Sequence, residues 1–119
     1  MIFVGTDIVS MIRIENLIKE KGKRFLNHVY TNLEQNICNA KKSPFIHYSG
    51  RFAAKEAIKK TLLSGKLTKD IPLVSIEIEN DDDGTPLVHI FQESIKYEQL
   101  QISISHAGEY ATATAILEL

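Results

Sequence analysis

Residues 50–60 read "GRFAAKEAIKK", and their conformation decides how the rest of the chain is organised. Past Gly50 there is no breaker, and Ala, Glu and Lys are strong helix formers, so this stretch is predicted to lie inside one long helix. Ser43-Pro44 opens that helix, since proline is tolerated in a first turn. It runs to about Leu63, and Ser64-Gly65 stops it. One carboxylate, Glu56, stands here among Arg51, Lys55, Lys59, Lys60 and the nearby Lys42. Its helical neighbours three and four residues away are Phe52, Ala53, Lys59 and Lys60. The ordinary reading is a solvated ion pair contributing a few tenths of a kcal/mol. A chemical role needs a partner from another element.

The N-terminal run "IFVGTDIV", residues 2–9, is almost continuously apolar and rich in β-branched residues, which predicts a strand buried on both faces. Alternation puts Asp7 on the face of Phe3, Gly5 and Val9, where an isolated carboxylate is costly unless it is paired or bound to a cation. Ser10 caps a helix over 11–21, with Ile12, Leu17 and Ile18 as apolar positions and Arg13, Lys19 and Lys21 outside; Gly22 ends it. Residues 23–42 are predicted as short helical pieces, with Thr31 and Glu34 in capping-box spacing.

Beyond the long helix the period changes to two. "LVSIEIEN" (73–80) turns at "DDDGTP" into a hairpin partner, "LVHIF" (87–91). "LQISIS" (100–105) and "YATATAIL" (110–117) form a second alternating pair around "HAGE". Ala111, Ala113 and Ala115 on one face, and Thr112, Thr114 and Ile116 on the other, suit the close approach of a second sheet. Strand, helices, then antiparallel strands predict an α+β chain, and 119 residues predict one domain over 1–119.

The net charge of −1 conceals an asymmetry. Residues 1–60 hold 11 Lys and Arg against 5 Asp and Glu, whereas residues 61–119 hold 3 against 10. The basic half should meet an anionic partner, either a phosphorylated small molecule or an acidic protein surface. Nucleic acid is not expected, because the chain has no Trp and no interleaved aromatic and basic stripe. Cys38 is the only cysteine, which excludes an internal disulfide and a cysteine-rich zinc site and suits a reducing compartment. No apolar run approaches the ~20 residues of a membrane span, and no basic leader precedes the apolar start. A cytoplasmic protein is the expectation.

Three clusters carry chemistry. Asp7 and Glu56, from separate elements, are the kind of carboxylate pair that Mg²⁺ takes while filling its shell with water and substrate phosphate. Their ordinary readings are a strand-end cap and a surface ion pair. Lys60, with Lys59 and Lys55, could place positive charge on a phosphate at the same metal. His106, in "SISHAGEY", ends a strand and enters a turn.

Taken together, "GTDIVSMIRI", "GRFAAKEAIKK" and "ISISHAGEYATATAIL" resemble the three ordered signatures of the holo-[acyl-carrier-protein] synthase group of 4′-phosphopantetheinyl transferases. "RF" at 24–25, "TNLE" at 31–34 and "DGTP" at 83–86 extend the resemblance over nearly the whole chain. It implies an Mg²⁺-dependent transfer of phosphopantetheine from coenzyme A to a serine of apo acyl carrier protein, with release of adenosine 3′,5′-bisphosphate, in support of fatty acid biosynthesis. By the same resemblance Asp7 and Glu56 hold the metal and Lys60 lies near the pyrophosphate. Lys42, Arg51 and His106 receive the 3′-phosphate end of coenzyme A, supplied by the neighbouring subunit of a homotrimer. Arg13, Arg24 and Phe25 receive the acidic carrier. The proton acceptor for the serine stays open between a metal-bound water and Glu56 acting through water. Two positions depart from the pattern: Val9 offers no third acid, and Leu63 stands where a glycine is usual. The rival readings are a non-catalytic module that binds an acidic protein, and a regulator that binds a phosphorylated nucleotide without turnover.

Overall fold

The computed structural model describes every residue from Met1 to Leu119. The chain runs β1 (Ile2–Ser10), α1 (Met11–Lys21), α2 (Lys23–Val29), α3 (Asn32–Asn39) and α4 (Pro44–Ser64). A 3₁₀ turn at Leu73–Ser75 then leads into β2 (Ile76–Asn80), β3 (Pro86–Ile90), β4 (Gln99–Ala107) and β5 (Tyr110–Glu118). This is the expected α+β order. The helix boundaries follow the local chemistry: the Ser10 hydroxyl accepts from the Arg13 N–H, Thr31 and Glu34 form a reciprocal capping box, and Pro44 sits in the first turn of α4.

The strands form two sheets, a three-stranded antiparallel sheet in the order β1-β5-β4 and a separate β2-β3 hairpin. Asp7 pairs with Ala113, which in turn pairs with Ile104, so the N-terminal strand is zipped to the C-terminal one. Helix α4 lies across one face of this sheet. Ala111, Ala113 and Ala115 are buried beneath it together with Ala53, Ala54 and Ala57. The alanine face therefore receives a helix and not the second sheet expected from its small residues. At Gly5 the two backbones come so close that a Cβ would run into the Ala57 carbonyl oxygen.

The opposite face of the sheet is bare. Ile2, Val4 and Ile8 are 63%, 58% and 66% exposed, so β1 is buried on one face only, contrary to the expectation from its apolar run. The sheet has a helical layer on one side and nothing from its own chain on the other. In α1 the fully buried residue is Ile14, while Ile12 is exposed, because the register of the helix turns Ile14 toward α4. His106 lies within β4, paired with Ala111, and the turn comes later at Gly108-Glu109. Gly108 there has φ 59°, as the first position of a type II′ hairpin turn requires.

Lys55 is not part of a phosphate-facing cluster. Its side chain is fully buried and donates to the Glu34 carboxylate, to the Val29 carbonyl at 2.8 Å, to the Leu73 carbonyl at 3.2 Å and to the Ile76 carbonyl. Burial pushes the Lys55 ammonium below its ordinary pKa, and Glu34 opposes that shift. Glu34 also accepts the Thr31 and Ile78 N–H groups, each at 2.9 Å.

Gly5→Ala should cost about 1–3 kcal/mol of unfolding free energy, or somewhat more if the backbone cannot shift. Chemical denaturation measures it, and a loss under about 0.5 kcal/mol, the range of neutral surface substitutions, would contradict the close β1–α4 approach.

Candidate functional site

One recess forms where β1 crosses α4, lined by Thr6, Asp7, Ile8, Lys60 and Thr112. Lys60 Nζ donates to the Thr6 carbonyl at 2.7 Å and to Asp7 Oδ1 at 3.2 Å. The Asp7 side chain is 19% exposed, so it lies against α4 with a lysine partner and does not serve as a strand-end cap. Lys59 reaches away to Asp70 at 2.8 Å, and that hydrogen bond holds the Asp70 carboxyl below the usual range. Both lysines that flank Glu56 are thus engaged elsewhere. Glu56 is half-buried and makes no hydrogen bond or ion pair within the chain, which removes the reading of it as a helix-surface pair. One turn before Lys60 on the same helical stripe, it is a partnerless carboxylate, but it does not line the recess that holds Asp7 and Lys60. Two carboxylates and one ammonium on adjoining elements can hold a hard divalent cation together with a phosphate.

A larger cavity of about 650 Å³ opens between the start of α4, the β2–β3 turn and β4. Its cationic and imidazole lining is Lys41, His47, Arg51 and His106, with Asp81 and Asp82 at the turn. Arg51 is fixed in place: its Nε donates to the Ile78 carbonyl at 3.1 Å and its terminal nitrogen to Asn80 Oδ1 at 2.8 Å. Lys42 is exposed and does not line the cavity, whereas its neighbour Lys41 does. His47 is held below the ordinary imidazole pKa, first by burial and then by Lys41, Arg51 and His106. A side chain whose protonation is opposed by three basic neighbours reports a positive field, which suits an anionic group. Sequence reasoning missed His47, although it lies four residues before Arg51 on the same face of α4.

A third, smaller recess is lined by Leu17, Lys21, Arg24, Phe25 and His28. The Phe25 ring stacks on Phe52 with centroids 6.4 Å apart and meets Tyr30 edge-on at 6.1 Å. It is therefore half inside the core, while Arg24 is exposed beside it. Arg13, also exposed, is on the first turn of α1 and outside this recess. Cys38 is fully buried and its thiol is pushed up to about 11 by that burial, the behaviour of an inert core residue and not of a nucleophile.

The recess at Asp7 and the cavity at His106 share no lining residue. Within one chain they are two separate recesses, one with chemistry suited to a metal and a phosphate, the other to an anion.

The family model of the 4′-phosphopantetheinyl transferase superfamily matches residues 3–115. A holo-[acyl-carrier-protein] synthase of Protochlamydia amoebophila is 44% identical over 116 residues, covering 95% of this chain and 94% of that protein. Among solved structures, the Bacillus anthracis holo-(acyl-carrier-protein) synthase in complex with CoA (3′,5′-ADP) superposes with a TM-score of 0.81 at 32% identity, covering 98% of this chain and 95% of that one. The Chronobacterium ammoniagenes ACPS-CoA complex gives a TM-score of 0.84 at 28% identity, covering 99% and 97%.

Lys60 competes with any cation for Asp7. An exposed pair of this kind contributes ~0.2–1 kcal/mol, so Lys60→Met should tighten Mn²⁺ binding to the free chain by up to about fivefold, read by electron paramagnetic resonance of the unbound ion. Weaker binding would show that the lysine does not oppose the cation.

Proposed function

The chain belongs to the 4′-phosphopantetheinyl transferase superfamily, and we propose that its two separate recesses are the two ends of one coenzyme A site. The enzyme is a holo-[acyl-carrier-protein] synthase: it transfers the 4′-phosphopantetheine group from coenzyme A to a serine of apo acyl carrier protein. The observation that carries the assignment of residues is the Asp7–Lys60 contact, with the partnerless Glu56 carboxylate one helical turn before Lys60.

Asp7 and Glu56 fit Mg²⁺, since both are hard oxygen donors and Glu56 has no protein partner to displace. When bound, the ion supplies Lewis-acid polarisation of the pyrophosphate oxygens. Lys60 holds the negative charge that gathers on the departing bisphosphate as the serine oxygen bonds to the phosphorus next to pantetheine, the phosphoanhydride bond breaks and the serine proton passes to a water molecule, which Glu56 could in turn deprotonate. Arg51, His106 and Lys41, with His47, hold the 3′-phosphate end; Lys42 stands at the rim, from where its flexible side chain approaches the same charge. The leaving group is adenosine 3′,5′-bisphosphate. Arg13 and Arg24 offer the acidic carrier a basic surface, and the open edge of Phe25 supplies an apolar contact beside Arg24.

Asp7 and His106 lie in different recesses of one chain, which supports a complete site assembled between subunits, in the homotrimer that the family resemblance implies. The bare sheet face supports this: Ile2, Val4, Ile8 and Ile116 form an exposed apolar surface of a kind that marks an interaction site. No helix is long and apolar enough to cross a membrane, and the buried free thiol suits the cytoplasm, where the product serves fatty acid biosynthesis.

With coenzyme A, Mg²⁺ and apo carrier, mass spectrometry should find the phosphopantetheine adduct on the carrier. Asp7→Ala, Glu56→Ala and Glu56→Gln should each lower kcat/KM by ~100-fold or more, about 2.7 kcal/mol of transition-state stabilisation, with unfolding midpoints close to that of the parent. Near-normal turnover of any of them at limiting Mg²⁺ would remove the paired-carboxylate site. A folded parent that binds the carrier without forming an adduct would favour the binding-module reading.

Glu56→Gln and His106→Ala, each inactive alone, should recover part of the activity when mixed and allowed to exchange subunits. Some interfaces would then combine an intact metal half with an intact nucleotide half. No recovery in verified mixed assemblies, or a monomer at working concentration, would overturn the shared site.

A further inference from the structure

The β2–β3 hairpin carries a second group of metal-type donors that the transfer reaction does not use. Glu77 and Glu79 occupy alternate positions of β2, on the face opposite the buried Ile76 and Ile78. His89 of β3 lies directly across from Glu77 in the ladder. One oxygen from each carboxylate and one imidazole nitrogen all lie within 4.8 Å of one another, and His89 Nε2 is 3.7 Å from Glu79 Oε2. The geometry points to a divalent transition-metal site formed by Glu77, Glu79 and His89, with Zn²⁺ as the ion of choice.

Four features carry this. The backbone part of the arrangement is fixed, since two residues on one strand and the cross-strand partner of the first are held by the hairpin register. Donors around a tetrahedral zinc at ~2.0–2.1 Å are roughly 3.3 Å apart, so the exposed ends of Glu79 and His89 need only small rotations to close on an ion. Glu77 is already oriented from outside the hairpin, because the Thr31 hydroxyl donates to its Oε2 at 2.6 Å, the kind of outer hydrogen bond that aims a metal-binding carboxylate. Finally, neither glutamate forms an ion pair with Lys or Arg. The contact of Glu79 is the His89 imidazole, and the hydrogen bonds of the nearby Lys55, whose charge Glu77 also feels, go to Glu34 and backbone carbonyls. Two like charges on one face of a strand repel, and a divalent ion removes that repulsion.

The donor chemistry separates this site from the one at Asp7 and Glu56. An imidazole nitrogen with carboxylates suits Zn²⁺, whereas an all-oxygen pair suits Mg²⁺. Through Thr31, the N-cap of α3, a bound ion braces the hairpin against α3. That hairpin also supplies Asn80, Asp81 and Pro86 to the large cavity. An ion that binds only this folded arrangement raises the stability of the fold.

The test uses the metal-stripped, full-length protein and Zn²⁺ alone, with imidazole nitrogen and proton resonances and the thermal unfolding midpoint as readouts. Zn²⁺ should move the His89 resonances at lower concentration than those of His28, His47 or His106, and should raise the midpoint; Mg²⁺ at the same concentrations should do neither. Glu79→Gln should weaken the His89-linked binding at least tenfold, whereas Asp7→Ala should leave it unchanged. Glu79 lies outside the transfer site, so that variant should keep its phosphopantetheine transfer with Mg²⁺, which also confirms that it folds. The inference is overturned if His89 does not respond, if His47 and His106 respond first, or if Glu79→Gln binds Zn²⁺ as tightly as the parent, an adventitious ion only.

Discussion

The rest of the structure depends on the buried ion pair between Lys55 and Glu34. A charged pair taken fully out of water survives only if its remaining hydrogen-bonding capacity is met. Here the Val29, Leu73 and Ile76 carbonyls serve the lysine, and the Thr31 and Ile78 N–H groups serve the glutamate. The pair therefore ties α4 to the end of α2, to the cap of α3 and to β2. Removing one partner would leave an uncompensated buried charge, at a cost of about 3–5 kcal/mol.

Fixing Lys55 also fixes the rotation of α4. Successive residues on a helix advance by about 100°, so Arg51, four residues earlier, falls on nearly the same side as Lys55. There it meets Ile78 and Asn80 of β2 and enters the large cavity. Glu56 and Lys60 come off on the stripe that faces β1, where Lys60 finds Asp7. A single buried lysine thus sends Arg51 one way and Glu56 and Lys60 another. This is the physical origin of the separation between the two recesses.

The small residues between α4 and the sheet serve the same end. Gly5 and Ala57 let the helix sit close on β1, and the alanines of β5 let it lie flat across the sheet. Without that approach, Asp7 and Lys60 would stand on surfaces too far apart for the 3.2 Å contact they make. All helices that touch the sheet do so from one side, which leaves Ile2, Val4, Ile8 and Ile116 bare on the other.

By itself the sequence determined what depends on neighbours a few residues apart. The capping box at Thr31 and Glu34, the Ser10 cap, the Pro44 start and Gly22 stop, and the switch to period two after residue 73 are all local signals. So are the ordered motifs that carry Asp7, Glu56, Lys60 and His106. Only the tertiary structure decided which charges are paired. Lys55 and Lys59 look alike in "AAKEAIKK", yet one is buried on Glu34 and the other is held by Asp70, because their partners lie 21 and 11 positions away and helix phase alone does not reveal them. The same holds for β1: an apolar run reads the same whether one face or both are covered, and its pairing with β5 at the far end of the chain decides which residues face the helix. Local sequence sets which elements form, and long-range packing sets which of their side chains remain free for chemistry.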